Sequence, residues 1–192
     1  MIETERFEEV AVDTTDALWD WLERNHETET SVWLVTWKRA AGEKYVSVDA
    51  VLDALIAYGW IDGIRRKRTD LQTMQLISPR KVQHWSKSYK DRAARLEREG
   101  RMQPAGRRAI EAAKASGLWT FMDDVDALIV PSDLDAALTA EGCGAGAFAA
   151  LPGAYRRNVL RWIKLAKTPK TRAKRVEKAA VSTAKNERLP QM

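Results

Sequence analysis

The sequence predicts an α+β fold, with a small antiparallel or mixed N-terminal sheet and two helices, followed by an all-helical C-terminal half. Two observations support this prediction. Apolar and polar residues alternate before Pro79, most clearly over residues 31–39, as is typical of strands. After Pro79, apolar residues recur every three or four positions, between glycines and prolines that begin or end helices. We therefore expect an α+β lobe over residues 1–80 and a helical lobe over residues 81–192, which fold as one cooperative unit.

About four strands are predicted in the N-terminal lobe. Residues 31–39 carry β-branched and aromatic side chains on both faces, so this strand is expected in the interior of the sheet. Two helices are expected between the strands, because Thr14 or Thr15 and Ser47 are typical N-cap residues. The strands themselves are predicted over residues 5–12, 31–39, 60–66 and 73–77.

The C-terminal half is predicted from helix caps and apolar stripes. Ser86 or Ser88 begins the first helix, and the last helix begins after the Thr168–Pro169 pair with an inner face that includes Val176 and Ala180. Residues 118–131 are expected to be linker-like, and residues 186–192 to be frayed. Helices are predicted over residues 86–99, 104–117, 132–140, 145–151, 155–166 and from 169 onward.

Composition limits the classes of protein to which the chain can belong. A single cysteine excludes an internal disulfide and a cysteine-rich metal site. The acidic N-terminus has no apolar run that would indicate a signal peptide, and no stretch approaches the roughly 18 apolar residues of a membrane span. We therefore expect a cytoplasmic protein without a membrane span.

The charged residues are segregated along the chain. Residues 1–63 hold 14 acidic and 5 basic side chains, whereas residues 155–192 hold 2 and 12. Residues 64–108 are also basic, with 14 Lys or Arg against 4 Asp or Glu. Such blocks either attract one another within the fold or face an anionic partner.

Four stretches resemble one protein family. They are YGWIDG (58–63), SPRK with the following WSK (78–87), LEREGRMQPAG (96–106) and RWIKLAKTPKTRAKRVEK (161–178). Together they resemble bacterial proteins of the YdeI/OmpD-associated, bacteriocin-protection family, from about Trp19 to about Ala184. The resemblance implies a small cytoplasmic bacterial protein linked to stress or bacteriocin tolerance. It implies a porin-type protein partner only through the family's name, and it brings no established reaction, cofactor or catalytic residue.

A first candidate site lies where the predicted third strand begins. Trp60 and Asp62 share a face of that strand, and Gly63 leaves room for a ligand or another backbone. In a pocket, Trp60 would stack on a ligand and Asp62 would accept a hydrogen bond. The alternative is structural: Trp60 lies in the core, and Asp62 is tied to one of three arginines. Those arginines are Arg65, Arg66 and Arg68.

A second candidate group follows Pro79. A loop that enters a helix can direct backbone N–H groups and cations at an anion, and Trp85 could add stacking. The alternative is that Ser86 caps the helix and Trp85 belongs to the core. With the first group, these residues form a predicted Trp/Arg-lined pocket for a phosphate or carboxylate. Its candidate ligand-binding residues are Trp60, Asp62, Gly63, Arg65, Arg68, Arg80, Trp85, Ser86, Lys87 and Tyr89.

No metal, cofactor or catalytic residue is predicted. His26 and His84 do not have metal-ligand spacing. The acidic residues of the DDVD segment, 123–126, lack the glycine and terminal glutamate of a calcium loop. The basic residues 156–178 are interpreted as a solvated, docked C-terminal helical region, so nucleic acid is not the expected partner.

The sequence thus predicts a non-enzymatic binding protein of the bacteriocin-protection type, for a small anionic ligand or a protein partner. One alternative is an enzyme acting on a small anionic substrate with Asp62 as its base. It would lack a visible nucleophile or second carboxylate nearby. A further alternative is a nucleic-acid binder that uses the basic segments.

Overall fold

The computed structural model describes residues 7–27 and 30–189, and the chain divides into two compact units, residues 1–120 and 121–192. The fold is α+β, as predicted. The sheet lies in the first unit and the C-terminal half is helical. Within the described ranges, no helix is long and apolar enough to cross a membrane.

The first unit contains a four-stranded mixed sheet in the order β1-β2-β4-β3. β1 is parallel to β2, and β4 is antiparallel to both β2 and β3. β2 is interior, as predicted, and its residues Val32 to Val35 are at most 2% exposed. The predicted start of the first strand at residue 5 lies outside the described residues. The strands are β1 (Glu9–Ala11), β2 (Val32–Trp37), β3 (Trp60–Lys67) and β4 (Gln72–Pro79).

Four α-helices and a short 3₁₀ helix (Arg39–Lys44) complete the described part of the first unit. Thr14 and Ser47 cap the first two through their side chains, because each hydroxyl accepts a hydrogen bond from the backbone three residues ahead. Gly106 brings the fourth helix close to the second, since a Cβ there would lie 2.3 Å from the carbonyl oxygen of Ala57. The helices are α1 (Thr15–Asn25), α2 (Val48–Ala57), α3 (Lys87–Arg98) and α4 (Pro104–Ala115).

The register of the sheet determines which side chains face the helices. Asp62 pairs with Ile77, and Ile77 pairs with Val32, so these three side chains lie on one face. Ile77 and Val32 belong to the core that α1 and α2 cover. A bulge follows Asp62 and shifts the pairing before Arg65. Asp62 therefore lies on the helix-covered face, beside the irregular end of an edge strand.

The described part of the second unit, as far as residue 189, contains five helices. The last one buries Val176, Ala179, Ala180 and Thr183, as predicted. The helices are α5 (Asp123–Asp126), α6 (Ser132–Ala140), α7 (Gly144–Ala149), α8 (Gly153–Lys164) and α9 (Pro169–Ala184).

Two expectations about connecting segments are wrong. Part of the predicted linker, residues 118–131, forms α5, and Met122 and Val125 are buried in the core of the second unit. The predicted frayed end is ordered as far as Leu189, which is 2% exposed and donates its backbone N–H to the Tyr155 hydroxyl. In both segments, apolar side chains too widely spaced to show a periodic pattern contribute to the core.

The predicted division after residue 80 stays a prediction. α3 and α4 pack against α2, within the unit that contains the sheet. Along the chain, the boundary between the two compact units falls between residues 120 and 121. Whether the chain unfolds as one cooperative unit is a separate property that a melting experiment can measure.

Candidate functional site

Asp62 accepts hydrogen bonds from two sides. The Tyr89 hydroxyl of α3 donates a short hydrogen bond to Oδ1, and Gln75 Nε2 of β4 donates to Oδ2 at 3.1 Å. Arg65 Nη2 then donates to Gln75 Oε1 at 2.8 Å. Gln75 lies diagonally across the ladder from Asp62, two residues from its paired residue Ile77, and long side chains can bridge that distance. Asp62 is thus held between the sheet and the first turn of α3.

The expected direct tie between Asp62 and an arginine is not formed. Among the described residues, Asp62 makes no ion pair within 4.0 Å, and Arg65 reaches it only through Gln75. Arg66 lies 5.2 Å over the Trp33 ring, and Arg68 pairs with Glu9. The bulge after Asp62 explains the difference, because it changes which side chains follow Asp62 on the same face of β3.

Arg80 is the second element of the site. Its guanidinium lies 4.2 Å over the Trp85 ring and 5.1 Å over the Tyr89 ring. Nη1 donates to the carbonyl oxygens of His84 and Gln83, at 3.3 and 3.5 Å. Nε and Nη2 are buried and donate to no atom of the described chain, in which no carboxylate lies within ion-pair distance of the guanidinium. Arg80 is therefore a half-buried cation whose hydrogen-bonding capacity is mostly unused.

Burial shifts the pKa values of both Arg80 and Tyr89. Burial lowers the pKa of Arg80 to about 10, and attraction to Tyr89 and Asp62 offsets only part of this effect. Burial also raises the pKa of Tyr89, and its hydrogen bond to Asp62 raises it further. At neutral pH the site therefore contains a charged guanidinium and a protonated phenol.

The two predicted stacking residues are fully buried. Trp60 is 1% exposed, its Nε1 donates to the carbonyl oxygen of His26, and its ring meets that of Trp21 edge-on. Trp85 is 0% exposed and packs against the rings of Tyr89 and Trp119. In this conformation neither indole can stack on a ligand, although Trp85 supports the guanidinium of Arg80.

The remaining predicted residues are distributed around this cluster. A Cβ at Gly63 would lie 3.1 Å from the carbonyl oxygen of Leu76, so the small residue accommodates the neighbouring strand. Lys87 pairs with Asp91 one turn along α3, and Ser86 exchanges a hydrogen bond with Ser88. The structure therefore brings together Asp62, Arg80, Trp85 and Tyr89, with Arg65 joined through Gln75. It places Trp60, Gly63, Arg68, Ser86 and Lys87 in other contacts.

Sequence reasoning missed Gln75. The sequence contains one indication of its role. Gln75 lies two residues before Ile77 in the same strand, so its polar side chain points to the same core-facing side as the buried Ile77. Gln75 is 8% exposed, and burial of an amide favours partners for both its oxygen and its nitrogen.

The sequence analysis also missed a second cluster of charged residues, in which acidic and basic side chains pair with each other. Asp53 of α2 is 8% exposed and accepts two hydrogen bonds from Arg95 Nη2, at 2.6 and 2.7 Å. Arg92 Nη1 donates to the same carboxylate at 2.8 Å, and Arg92 also pairs with Asp49. This cluster ties α2 to α3, and its complete pairing contrasts with the unpaired charge of Arg80.

Two of the surface grooves in the described chain are lined by none of the predicted ligand-binding residues. One, of about 350 Å³, runs between α3 and α4 in the first unit and is lined by residues that include Ala93, Ile110 and Trp119. The other, of about 470 Å³, lies between α6 and α9 in the second unit. In the part of the chain that the structure describes, no group of three His, Cys, Asp or Glu residues could hold a metal ion.

The two units of the chain match two different family models. Residues 10–109, just over half of the 192-residue chain, match the family model described as Domain of unknown function (DUF8412). The chain belongs to the DUF8412 family. This match lies within the first unit and contains Asp62, Arg80 and Tyr89, so the candidate site is part of the DUF8412 region.

The second unit contains a different match. Residues 127–186 match the family model described as Bacteriocin-protection, YdeI or OmpD-Associated. The predicted resemblance to that family is thus confirmed for residues 127–186, which include α6 to α9. The range predicted for it, from about Trp19 to about Ala184, is longer than this match. No curated protein and no solved structure matches this DUF8412 member.

Proposed function

We propose that the chain is a non-enzymatic binding protein of the bacteriocin-protection type, and that it binds a small anionic ligand at Arg80. The observation that carries the proposal is the half-buried guanidinium of Arg80, which has no carboxylate within ion-pair distance among the described residues and whose buried Nε and Nη2 donate to none of their atoms. The match of residues 127–186 supports the bacteriocin-protection part. A cytoplasmic location, a role in stress response and a porin-type partner remain parts of this proposal, suggested by the resemblance.

The unpaired charge is costly, which argues for a ligand. A buried cation normally has a counter-ion or a full set of hydrogen bonds, because removing it from water is unfavourable. Arg92 and Arg95 meet this condition through Asp53, whereas Arg80 has only two long bonds to carbonyl oxygens. A carboxylate or phosphate group would supply the missing acceptors for a planar guanidinium.

Binding requires a local movement. Nε and Nη2 of Arg80 are shielded from solvent, so an anion reaches them only when the neighbouring chain shifts. Arg80 begins a connection without regular secondary structure that runs to Ser86, and such segments move more easily than helices or strands. We propose that this connection, residues 80–86, opens to admit the anion and closes over it.

In this proposal Asp62 positions Tyr89 and performs no chemistry. Both of its carboxylate oxygens already accept hydrogen bonds, so action as a base would first require release of Tyr89 or Gln75. The Tyr89 ring, in turn, forms one of the two surfaces against which Arg80 rests.

The test is a thermal-shift screen with inorganic phosphate, sulfate, acetate and citrate at constant ionic strength. A ligand at about 100 times its Kd stabilises the folded state by about 2.7 kcal/mol, which is measurable as a higher Tm. We expect at least one anion to stabilise the wild type and the Lys81→Gln control, but not Arg80→Gln. Lys81 is the matched control because it is exposed and adjacent in sequence. Equal stabilisation of all three proteins, or of none, would contradict the proposal.

A further inference from the structure

The outward surface of α9 is a stripe of lysines. Lys170, Lys174, Lys178 and Lys185 are all exposed. At 100° per residue Lys170, Lys174 and Lys178 fall within a sector of about 80° on α9, and Lys185 is the C-cap residue of that helix. We refer to these four residues as the lysine stripe.

The positive charges of the lysine stripe are not paired with acidic groups among the described residues. None of its four side chains makes a hydrogen bond or ion pair with another residue that the structure describes. Three acidic side chains of the second unit pair with other residues: Asp133 with Arg172, Asp124 with Lys164, and Asp126 with Arg157. Glu177, which is also exposed on α9, makes no ion pair among the described residues. Lys170, Lys174 and Lys178 follow one another at four-residue intervals, where like charges destabilise a helix. The second unit thus concentrates unpaired positive charge on one side of α9.

The opposite face of α9 restricts the kind of partner. Val176, Ala179 and Ala180 are buried in the core of the second unit. An interfacial helix binds a membrane by inserting a free apolar face, and α9 has no such face to offer. A nucleic-acid backbone requires only cations that can reach its phosphates. Lys170 and Lys185 are 15 positions apart, about 22 Å along a helix, so the stripe can contact several phosphates.

We propose that the lysine stripe of α9 binds the phosphate backbone of a nucleic acid without reading its sequence. This surface lies in the second unit, and it goes beyond the anion site proposed at Arg80 in the first. The lysines contribute as flexible point charges, so affinity should depend strongly on salt and little on base composition.

The experiment measures binding of the full chain to a fluorescent random-sequence DNA duplex by anisotropy, over a series of salt concentrations. Neutralising four phosphates predicts a slope of log Kobs against log salt of about −3.6. The double variant Lys174→Glu/Lys178→Glu should bind at least about tenfold more weakly, and its slope should be shallower by about 2. Lys174→Arg/Lys178→Arg should bind as the wild type does.

A matched control separates the stripe from net charge. Lys81→Glu/Arg98→Glu changes the net charge by the same amount in the first unit, and both of its positions are exposed. The proposal requires this control to retain most of the affinity and slope. An equal loss in the control, no measurable DNA binding by the wild type, or stripe-dependent binding to phosphatidylserine vesicles in place of DNA would overturn it. Circular dichroism of each variant confirms that α9 is folded before binding is compared.

Discussion

Replacing Asp62 by asparagine tests how the carboxylate is held. The new amide could accept from Tyr89 through its oxygen, but its NH₂ group would then face the Nε2 donor of Gln75. Rotating the Gln75 amide would only move the conflict to Arg65, which donates to the Gln75 oxygen. One donor therefore stays unsatisfied, at a cost of about 1–2 kcal/mol for a half-buried group.

The size of this effect distinguishes a hydrogen-bond relay from an ion pair. Asp53→Asn removes the counter-ion of Arg92 and Arg95 and should cost about 3 kcal/mol, since both arginines are partly exposed. With about 4 °C of Tm per kcal/mol for a unit of this size, we expect Asp62→Asn to lower Tm by ~4–8 °C and Asp53→Asn by ~12 °C. Thermal denaturation followed by circular dichroism measures both.

A compensating variant makes the test specific. Asp62→Asn/Gln75→Glu moves the carboxylate from position 62 to position 75, where the new amide can donate to it and Arg65 can pair with it. The double variant should recover more than half of the loss, whereas Gln75→Glu alone should destabilise the fold by placing two carboxylates together. A loss at Asp62→Asn as large as at Asp53→Asn, without recovery in the double variant, would refute the relay.

Three further predictions concern the surrounding structure. Tyr89→Phe leaves Asp62 Oδ1 without its donor and should cost about 1–2 kcal/mol at neutral pH, measured by urea denaturation. Folding raises the pKa of Tyr89, so the stability that Tyr89 contributes should be fully present below the unfolded tyrosine pKa of about 10 and should decline at higher pH. A stability difference between the wild type and Tyr89→Phe that is the same at pH 11 as at neutral pH would contradict this. Gly106→Ala should lower the Tm of the first unit by several degrees, because the new methyl group would overlap the Ala57 carbonyl. Gly146→Ala in α7, where a Cβ meets no atom and φ is not positive, is the control for replacing a helical glycine and should leave Tm nearly unchanged. Deleting residues 180–192 should unfold the second unit, because it removes the buried Ala180 and Leu189; a native circular dichroism spectrum would count against that.

The fold was predictable where the local pattern and the tertiary environment agree. The alternation of residues 31–39 identified β2 as an interior strand, and the Thr168–Pro169 cap with its apolar stripe identified α9 and its buried face. The grouping of α3 and α4 with the sheet was not visible, because it depends on long-range packing such as the approach of Gly106 to Ala57. Leu189 belongs to the core as a single residue, which no periodicity reveals.

Only some of the predicted site residues come together in the structure. Asp62, Arg80 and Tyr89 do come together, because a strand end and a helix start meet there. The arginine tie that was one alternative for Asp62 does not form, because the bulge after Asp62 is a three-dimensional irregularity that the residue types do not reveal. A pattern of residue types also cannot show that Trp60 and Trp85 lie entirely inside the core, since tryptophan occurs both in cores and at binding surfaces.

The most direct test of the Arg80 site follows the Nε–H groups of the arginines by ¹⁵N NMR during titration with inorganic phosphate and with acetate. Arg80 Nε–H donates to no described atom, whereas Arg68 Nε–H already donates to Glu9, so the two act as probe and internal control. We predict a saturable downfield shift of the Arg80 signal with at least one of the two anions, and little change at Arg68. An Arg80 signal that stays constant throughout both titrations, or that moves no more than that of Arg68, would contradict the claim that Arg80 holds the ligand.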